Sequence, residues 1–150
     1  MIAKNTTELK RAMQNLLYET MKDLTAQVHS LADEFISDWY DDYDPKTYKR
    51  TYQLLHSCIA TDVKQSKNKF KSKVLLDYNS MHHNGLQKGF SEKAILDRAD
   101  QGLHGTSFSQ NGKKGLKLWQ PTEKEISNTT FLLDKFREHL VSKGFSVEIK

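Results

Sequence analysis

The sequence predicts an α+β fold: a long N-terminal helix and a C-terminal helix packed on a small, mainly antiparallel sheet with a β-hairpin. Three observations predict it. Apolar residues recur at steps of three and four from Leu9 to Trp39, a span with no Gly or Pro. Between residues 54 and 78, two runs of alternating apolar and polar residues flank a polar turn. From Thr122 a second apolar helical spacing runs to a glycine stop at Gly144.

The first helix is expected to start at Asn5, which with Glu8 has the spacing of a capping box. Its buried stripe reads Leu9, Met13, Leu16, Leu24, Val28, Leu31 and Phe35, widened by Leu17, Met21 and Ile36, with a polar gap at Thr20. Such a helix is roughly 33 residues, or about 50 Å, long. It therefore either breaks near Thr25 or protrudes and packs against a copy of itself. The stripe is too wide for a coiled coil. Asp38, Asp41, Asp42 and Asp44 oppose the helix dipole and Pro45 disfavours a helical Asp44, so the helix should stop between Trp39 and Tyr43.

Residues 39–58 hold Trp39, Tyr40, Tyr43, Pro45, Tyr48, Arg50 and Tyr52. So aromatic a turn is expected to bury its rings where helix meets sheet. Leu55, Ser57, Ile59, Thr61 and Val63 then form one alternating arm and Phe70, Ser72, Val74, Leu76 and Tyr78 the other, joined by the turn Lys64-Gln65-Ser66-Lys67-Asn68. All seven glycines follow residue 84. Residues 79–90 read as a loop, Ser91 caps a short helix ending at Gly102, and residues 102–116 read as a mobile Gly-Lys loop. Thr122 with Glu125 forms a second capping box; Ile126, Thr129, Leu133, Phe136, Leu140 and Val141 give the last helix its inner face. Phe145, Val147 and Ile149 alternate as a terminal strand.

A length of 150 residues makes one domain the default. Within it, residues 1–40 form the long helix, 41–80 the corner and hairpin, 81–120 the Gly-rich loops with a short helix, and 121–150 the helix and terminal strand. Hydrophobic residues make up 37% and mean hydropathy is −0.72, which supports a modest core under much wet surface. The net charge of +4 matters less than its distribution. Asp33, Glu34, Asp38, Asp41, Asp42 and Asp44 form an acidic run; Lys64, Lys67, Lys69, Lys71 and Lys73 form a basic one. Opposed charged surfaces suit self-assembly or the steering of a charged partner. The single cysteine, Cys58, excludes an intrachain disulfide, no apolar run reaches the roughly 18 residues of a membrane span, and the polar first residues are no signal peptide. A soluble protein made in the cytosol is expected, with no membrane contact.

No active site is expected. His82, His83 and His104 invite a metal reading, but structural zinc needs four well-spaced ligands and these histidines read as solvated loop residues. Cys58 with His56 and Asp62 lacks a catalytic signature and reads as a small strand residue. Gly102-Leu103-His104-Gly105 lacks the strand and the Lys-Ser/Thr ending of a phosphate loop. No metal and no cofactor are expected. The Lys64–Lys73 run supports salt-sensitive, sequence-blind contact with a phosphate backbone, or a tip kept soluble by lysine; Lys113, Lys114 and Lys117 add a second basic spot.

Tyr43-x-Pro45-x-x-Tyr48-x-Arg50-Thr51, followed by Leu54-Leu55-x-Ser57, resembles a corner found in small neck proteins of long-tailed bacteriophages, the head–tail joining, minor structural or tail-completion proteins. Their order of elements is similar to this one over most of the chain, and the motif itself spans about 20 residues. Gly102-Leu103-His104-Gly105 resembles a Gly-aromatic-His-Gly loop in some members, with Leu103 in the aromatic position. Tyr52 stands where a small residue is usual after Arg-Thr. The resemblance implies a non-enzymatic virion protein, made in the host bacterial cytoplasm. It also implies a ring, often six-fold, between capsid connector and tail tube, with neighbouring neck and tail-tube proteins as partners. Tyr43, Pro45, Tyr48, Arg50 and Thr51 would then fix the corner, Arg50 bonding helix-end carbonyls or an acid such as Asp41 or Asp42. The loop of Gly102, His104, Gly105, Lys113 and Lys114 would order against a neighbour. A nucleic-acid-binding module using the Lys64–Lys73 hairpin is the second reading.

Overall fold

A computed structural model describes residues 5–41, 52–67, 69–80, 92–101, 116–128 and 130–146. Helix α1 spans Thr6–Asp41. Asn5 starts it as the spacing predicts: its Oδ1 accepts the Glu8 backbone N–H at 2.9 Å. The 36 residues run about 54 Å without a break. Thr20 and Thr25 do not interrupt it, because each hydroxyl donates to the carbonyl one turn back, Leu16 and Met21, at 2.7 Å. Of the two alternatives for so long a helix, the break near Thr25 is absent.

Four short strands follow: β1 (Cys58–Ala60), β2 (Lys64–Ser66), β3 (Lys69–Lys71) and β4 (Val74–Leu76). β1 pairs with β4 and β2 with β3, both antiparallel, so the four make one hairpin in two nested ladders. It reaches further than predicted: Lys64-Gln65-Ser66 is strand, Ser66 faces Lys69, and Lys67 has φ 54°. A positive φ at the first central position is what a two-residue hairpin turn requires.

The ladders are out of step by one residue. Lys64 faces Lys71 in the inner pair, while Cys58 faces Leu76 in the outer pair. Thr61 donates its N–H to the Lys73 carbonyl at 2.8 Å, leaving Asp62 and Val63 opposite Ser72 alone, a β-bulge. The Thr61 hydroxyl accepts the Lys73 N–H at 2.9 Å, which keeps that donor satisfied through the distortion. An unbulged hairpin would set Ile59 opposite Leu76. The bulge reverses the alternation, so Cys58 is buried and Ile59, predicted inward, is 38% exposed. Tyr78, predicted at the end of the second arm, lies in a 3-10 turn, Tyr78–Ser80, and is exposed.

Helix α2 (Glu92–Asp100) forms where predicted. The single predicted last helix is two: α3 (Trp119–Asn128) and α4 (Phe131–Ser142). α3 ends at Asn128 and α4 begins at Phe131, beside the sequence Ser127-Asn128-Thr129-Thr130, residue types that favour turns and caps over helix interiors. Thr130 bonds the Asp134 carboxylate in the first turn of α4. α3 begins at Trp119, and Thr122 is no cap: its buried hydroxyl donates to the Leu118 carbonyl at 2.7 Å. Gly144 does end α4 as predicted. At φ 84° it donates to Val141, and Phe145 donates to Leu140, the paired bonds of a Schellman motif. Phe145 and Ser146 are not in a strand; residues 147–150 of the predicted terminal strand lie outside the described residues.

β1, β3, β4, α3 and α4 all pack on α1. The buried cluster gathers Ala32, Ile36 and Tyr40 of α1 with Leu54, Cys58, Leu76, Ala99, Leu116 and Leu118. It therefore sits at the C-terminal half of α1. Leu9, Met13 and Leu17, predicted to be core, lie outside this cluster and are 51%, 53% and 36% exposed. No described helix is long and apolar enough to cross a membrane.

Candidate functional site

The aromatic corner is described at its two ends. Tyr40, buried in the last turn of α1, meets Trp39 edge-on at 5.4 Å and stacks on Tyr52 at 6.0 Å. The chain thus leaves α1 and re-enters at Tyr52 within one ring contact. Tyr52 has φ 57°, a left-handed backbone that costs a residue with a Cβ about 1–2 kcal/mol. Only glycine would escape that cost, since any residue with a Cβ meets it. Beyond it, a tight turn is closed by the Ser57 hydroxyl donating to the Leu54 carbonyl at 2.7 Å. Tyr43, Pro45, Tyr48, Arg50 and Thr51 lie outside the described residues, as do Gly102, His104, Gly105, Lys113 and Lys114, and His82 and His83.

The five hairpin lysines, Lys64, Lys67, Lys69, Lys71 and Lys73, are all exposed. Lys64 and Lys71 are direct cross-strand partners, and Lys69 and Lys73 share that face along the strand. Like charges directly opposite one another destabilise a ladder. The acidic run lies elsewhere. Glu34, Asp38 and Asp41 are exposed at the C-terminal end of α1, whose last turn carries no basic residue. Phe70, at the centre of β3, lies with Leu9, Lys10, Met13, Gln14 and Leu17 around a groove of about 300 Å³. The basic tip is thus beside the N-terminal third of α1. Met13 and Asp38 lie about 38 Å apart along the helix, so the two charged surfaces are near opposite ends.

Sequence reasoning missed a third cluster. His29 and Asp33 stand one turn apart on α1, His29 Nδ1 3.3 Å from Asp33 Oδ2. His29 Nε2 lies 2.9 Å from the Cys58 carbonyl. The bulge turns the Cys58 side chain into the same place, and the ligating atoms of His29, Asp33 and Cys58 lie within 4.8 Å of one another. Burial, then the negative charge of Asp33, then a hydrogen bond to that carboxylate push the Cys58 thiol up to about 12. The thiol stays protonated at neutral pH, and the imidazole engages the Cys58 carbonyl. A nucleophilic dyad needs the reverse of both. The i, i+4 pair on α1 was visible in the sequence; its meeting with Cys58, 25 positions beyond Asp33, depended on the register of the hairpin. Asp33, counted with the acidic surface from sequence, faces this cluster. His56 and Asp62, the companions weighed for Cys58, are exposed.

No curated protein and no solved structure matches the chain. The profile of one family, YomN, matches residues 5–142. The matched span runs from the residue that caps α1 to the last residue of α4. YomN is a phage-derived family. The match covers nearly the whole chain, and this protein belongs to the YomN family.

Proposed function

We propose that this phage-associated protein is a structural component of the head–tail junction, a neck or tail-completion protein. In this reading it closes a ring between the capsid connector and the tail tube and acts without turnover. The observation that carries the reading is the placement of charge: an exposed lysine face at one end of α1 and exposed acids at the other. A head-to-tail contact between such ends is heterologous, and a heterologous contact closes a ring when its rotation closes. The protonated Cys58 and the carbonyl-bound His29 support a role without nucleophilic chemistry.

The purified chain is expected to be monomeric or weakly associated, and to form rings with its phage partners. Electron microscopy of a lysate from a phage lacking the gene should show separate heads and tails; complete virions would end the proposal. A second reading, nonspecific nucleic-acid binding, is favoured by the opposed Lys64 and Lys71, whose repulsion a phosphate backbone would relieve. Gel shifts at low and moderate salt separate the two. Binding that falls steeply with salt and is lost with the hairpin lysines supports contact with DNA.

A further inference from the structure

We propose that His29, Asp33 and Cys58 form a zinc site, binding one Zn²⁺ through the His29 Nδ1, an Asp33 carboxylate oxygen and the Cys58 thiolate, with the fourth position open to water. This goes beyond the virion role and does not depend on it.

The Cys58 carbonyl has no proton to give, so the 2.9 Å contact requires His29 Nε2 to carry one. A neutral His29 then presents a bare lone pair on Nδ1 to the Asp33 carboxylate, 3.3 Å away. Two acceptors facing each other at that distance call for a cation between or beside them. A proton on the ring is one solution; a divalent metal is the other. Cys58 supplies the third donor, already hydrogen-bonded to Asp33 in its protonated form.

The donor set fits zinc. Imidazole, carboxylate and thiolate are its ordinary ligands, and three of them with one open position is a common zinc arrangement. A ligating histidine almost always donates its other ring N–H to a carbonyl or carboxylate, which fixes the tautomer; His29 already does so. Bond lengths of 2.0–2.3 Å in a tetrahedron put ligand atoms about 3.3–3.8 Å apart. The three atoms, within 4.8 Å of one another, need to contract by about 1 Å. Charge also balances: one dication meets one carboxylate, one thiolate and a neutral ring. The Asp33 and His29 side chains are 43% and 28% exposed, which leaves a way in from solvent, while Cys58 closes the inner side. Binding exchanges the S–H bond for an S–Zn bond and releases one proton to water for each ion bound.

Cobalt is the spectroscopic probe. Chelator-treated full-length protein titrated with Co²⁺ should develop a thiolate-to-cobalt charge-transfer band and the visible bands of tetrahedral cobalt, saturating at one equivalent. Zinc should then displace the cobalt, with one proton released per ion in weakly buffered solution. Asp33→Asn, a substitution at a partly exposed helix position, should stay folded by circular dichroism and lose more than tenfold in zinc affinity, since even indirect partners of a metal are worth about 10–100-fold. Cys58→Ser should abolish the charge-transfer band; if it does not fold, Asp33→Asn and the stoichiometry decide alone. A folded wild type that shows no charge-transfer band with cobalt overturns the proposal. So does zinc binding that Asp33→Asn leaves unchanged.

Discussion

Replacing Lys71 by Glu should make the protein more stable and its assembly worse. Lys64 and Lys71 are cross-strand partners on the exposed face of the hairpin, and directly opposite residues have Cβ atoms about 5 Å apart. Their flexible stems let the ammonium groups separate to about 8 Å. In water that repulsion is about 0.5 kcal/mol before screening and about 0.2 kcal/mol at physiological ionic strength, where the Debye length is about 8 Å. Lys71→Glu turns repulsion into attraction of similar size. The expected gain is therefore about 0.4 kcal/mol at physiological salt and about 1 kcal/mol in low salt, within the range measured for cross-strand pairs. Urea unfolding of wild type, Lys71→Glu, Lys64→Glu and the double variant, at low salt and at 1 M salt, measures the coupling directly. Both single variants should be more stable than wild type, and the double variant should lose that gain because two glutamates again face each other. At 1 M salt the coupling should vanish. Zero coupling in low salt, or coupling indifferent to salt, would refute the register in which these lysines meet. The same single variant should reduce virion yield if the lysine face is the assembly surface, so stability and function would move in opposite directions.

Four further outcomes follow from the same structure. Gly144→Ala should cost about 1–2 kcal/mol in thermal or urea unfolding, all of it backbone strain at φ 84°, since a Cβ there meets nothing within 4 Å. Asn5→Ala should cost about 1 kcal/mol and lower helicity at the N-terminus by circular dichroism, because the Glu8 N–H loses its acceptor. Tyr52→Gly should be more stable than Tyr52→Ala by about 1 kcal/mol, as both lose the stack on Tyr40 and only glycine accepts φ 57° without strain. In metal-free protein, Cys58 should contribute a pH dependence. Its folded value, about 12, lies above the reference value of 9.0, so its contribution is fully present below pH 9 and is lost as pH rises from 9 to 12. The difference in unfolding free energy between wild type and Cys58→Ala, followed across that window, should shrink.

What the sequence made legible was local. The cap at Asn5, the helix spacing and the glycine stop at Gly144 are written within four or five residues of where they act. The second hairpin arm was legible because Phe70, Ser72, Val74 and Leu76 keep one unbroken alternation. The interruption before α4 was also written, in Ser127 to Thr130, but the apolar steps from Ile126 to Leu133 keep helical period across it and mask it. Burial along α1 was least legible. Leu9 and Met13 have the same periodicity as the covered part of the stripe, and periodicity says which face is apolar, never whether a partner reaches it.

The bulge explains why the cluster at Cys58 could not be read in advance. Thr61-Asp62-Val63 carries no residue type that announces an extra position; a three-residue stretch of polar and β-branched side chains suits an even ladder equally well. Yet that one residue decides which side chain faces Leu76, and so whether α1 meets an isoleucine or a thiol. An isoleucine there would give His29 and Asp33 an apolar neighbour and leave their facing acceptors with no third donor. With Cys58 turned in, the histidine, the carboxylate and the thiol share one small space. The chemistry of that space is therefore a consequence of strand register, held in place by the Thr61 hydroxyl that answers the Lys73 N–H where the ladder steps.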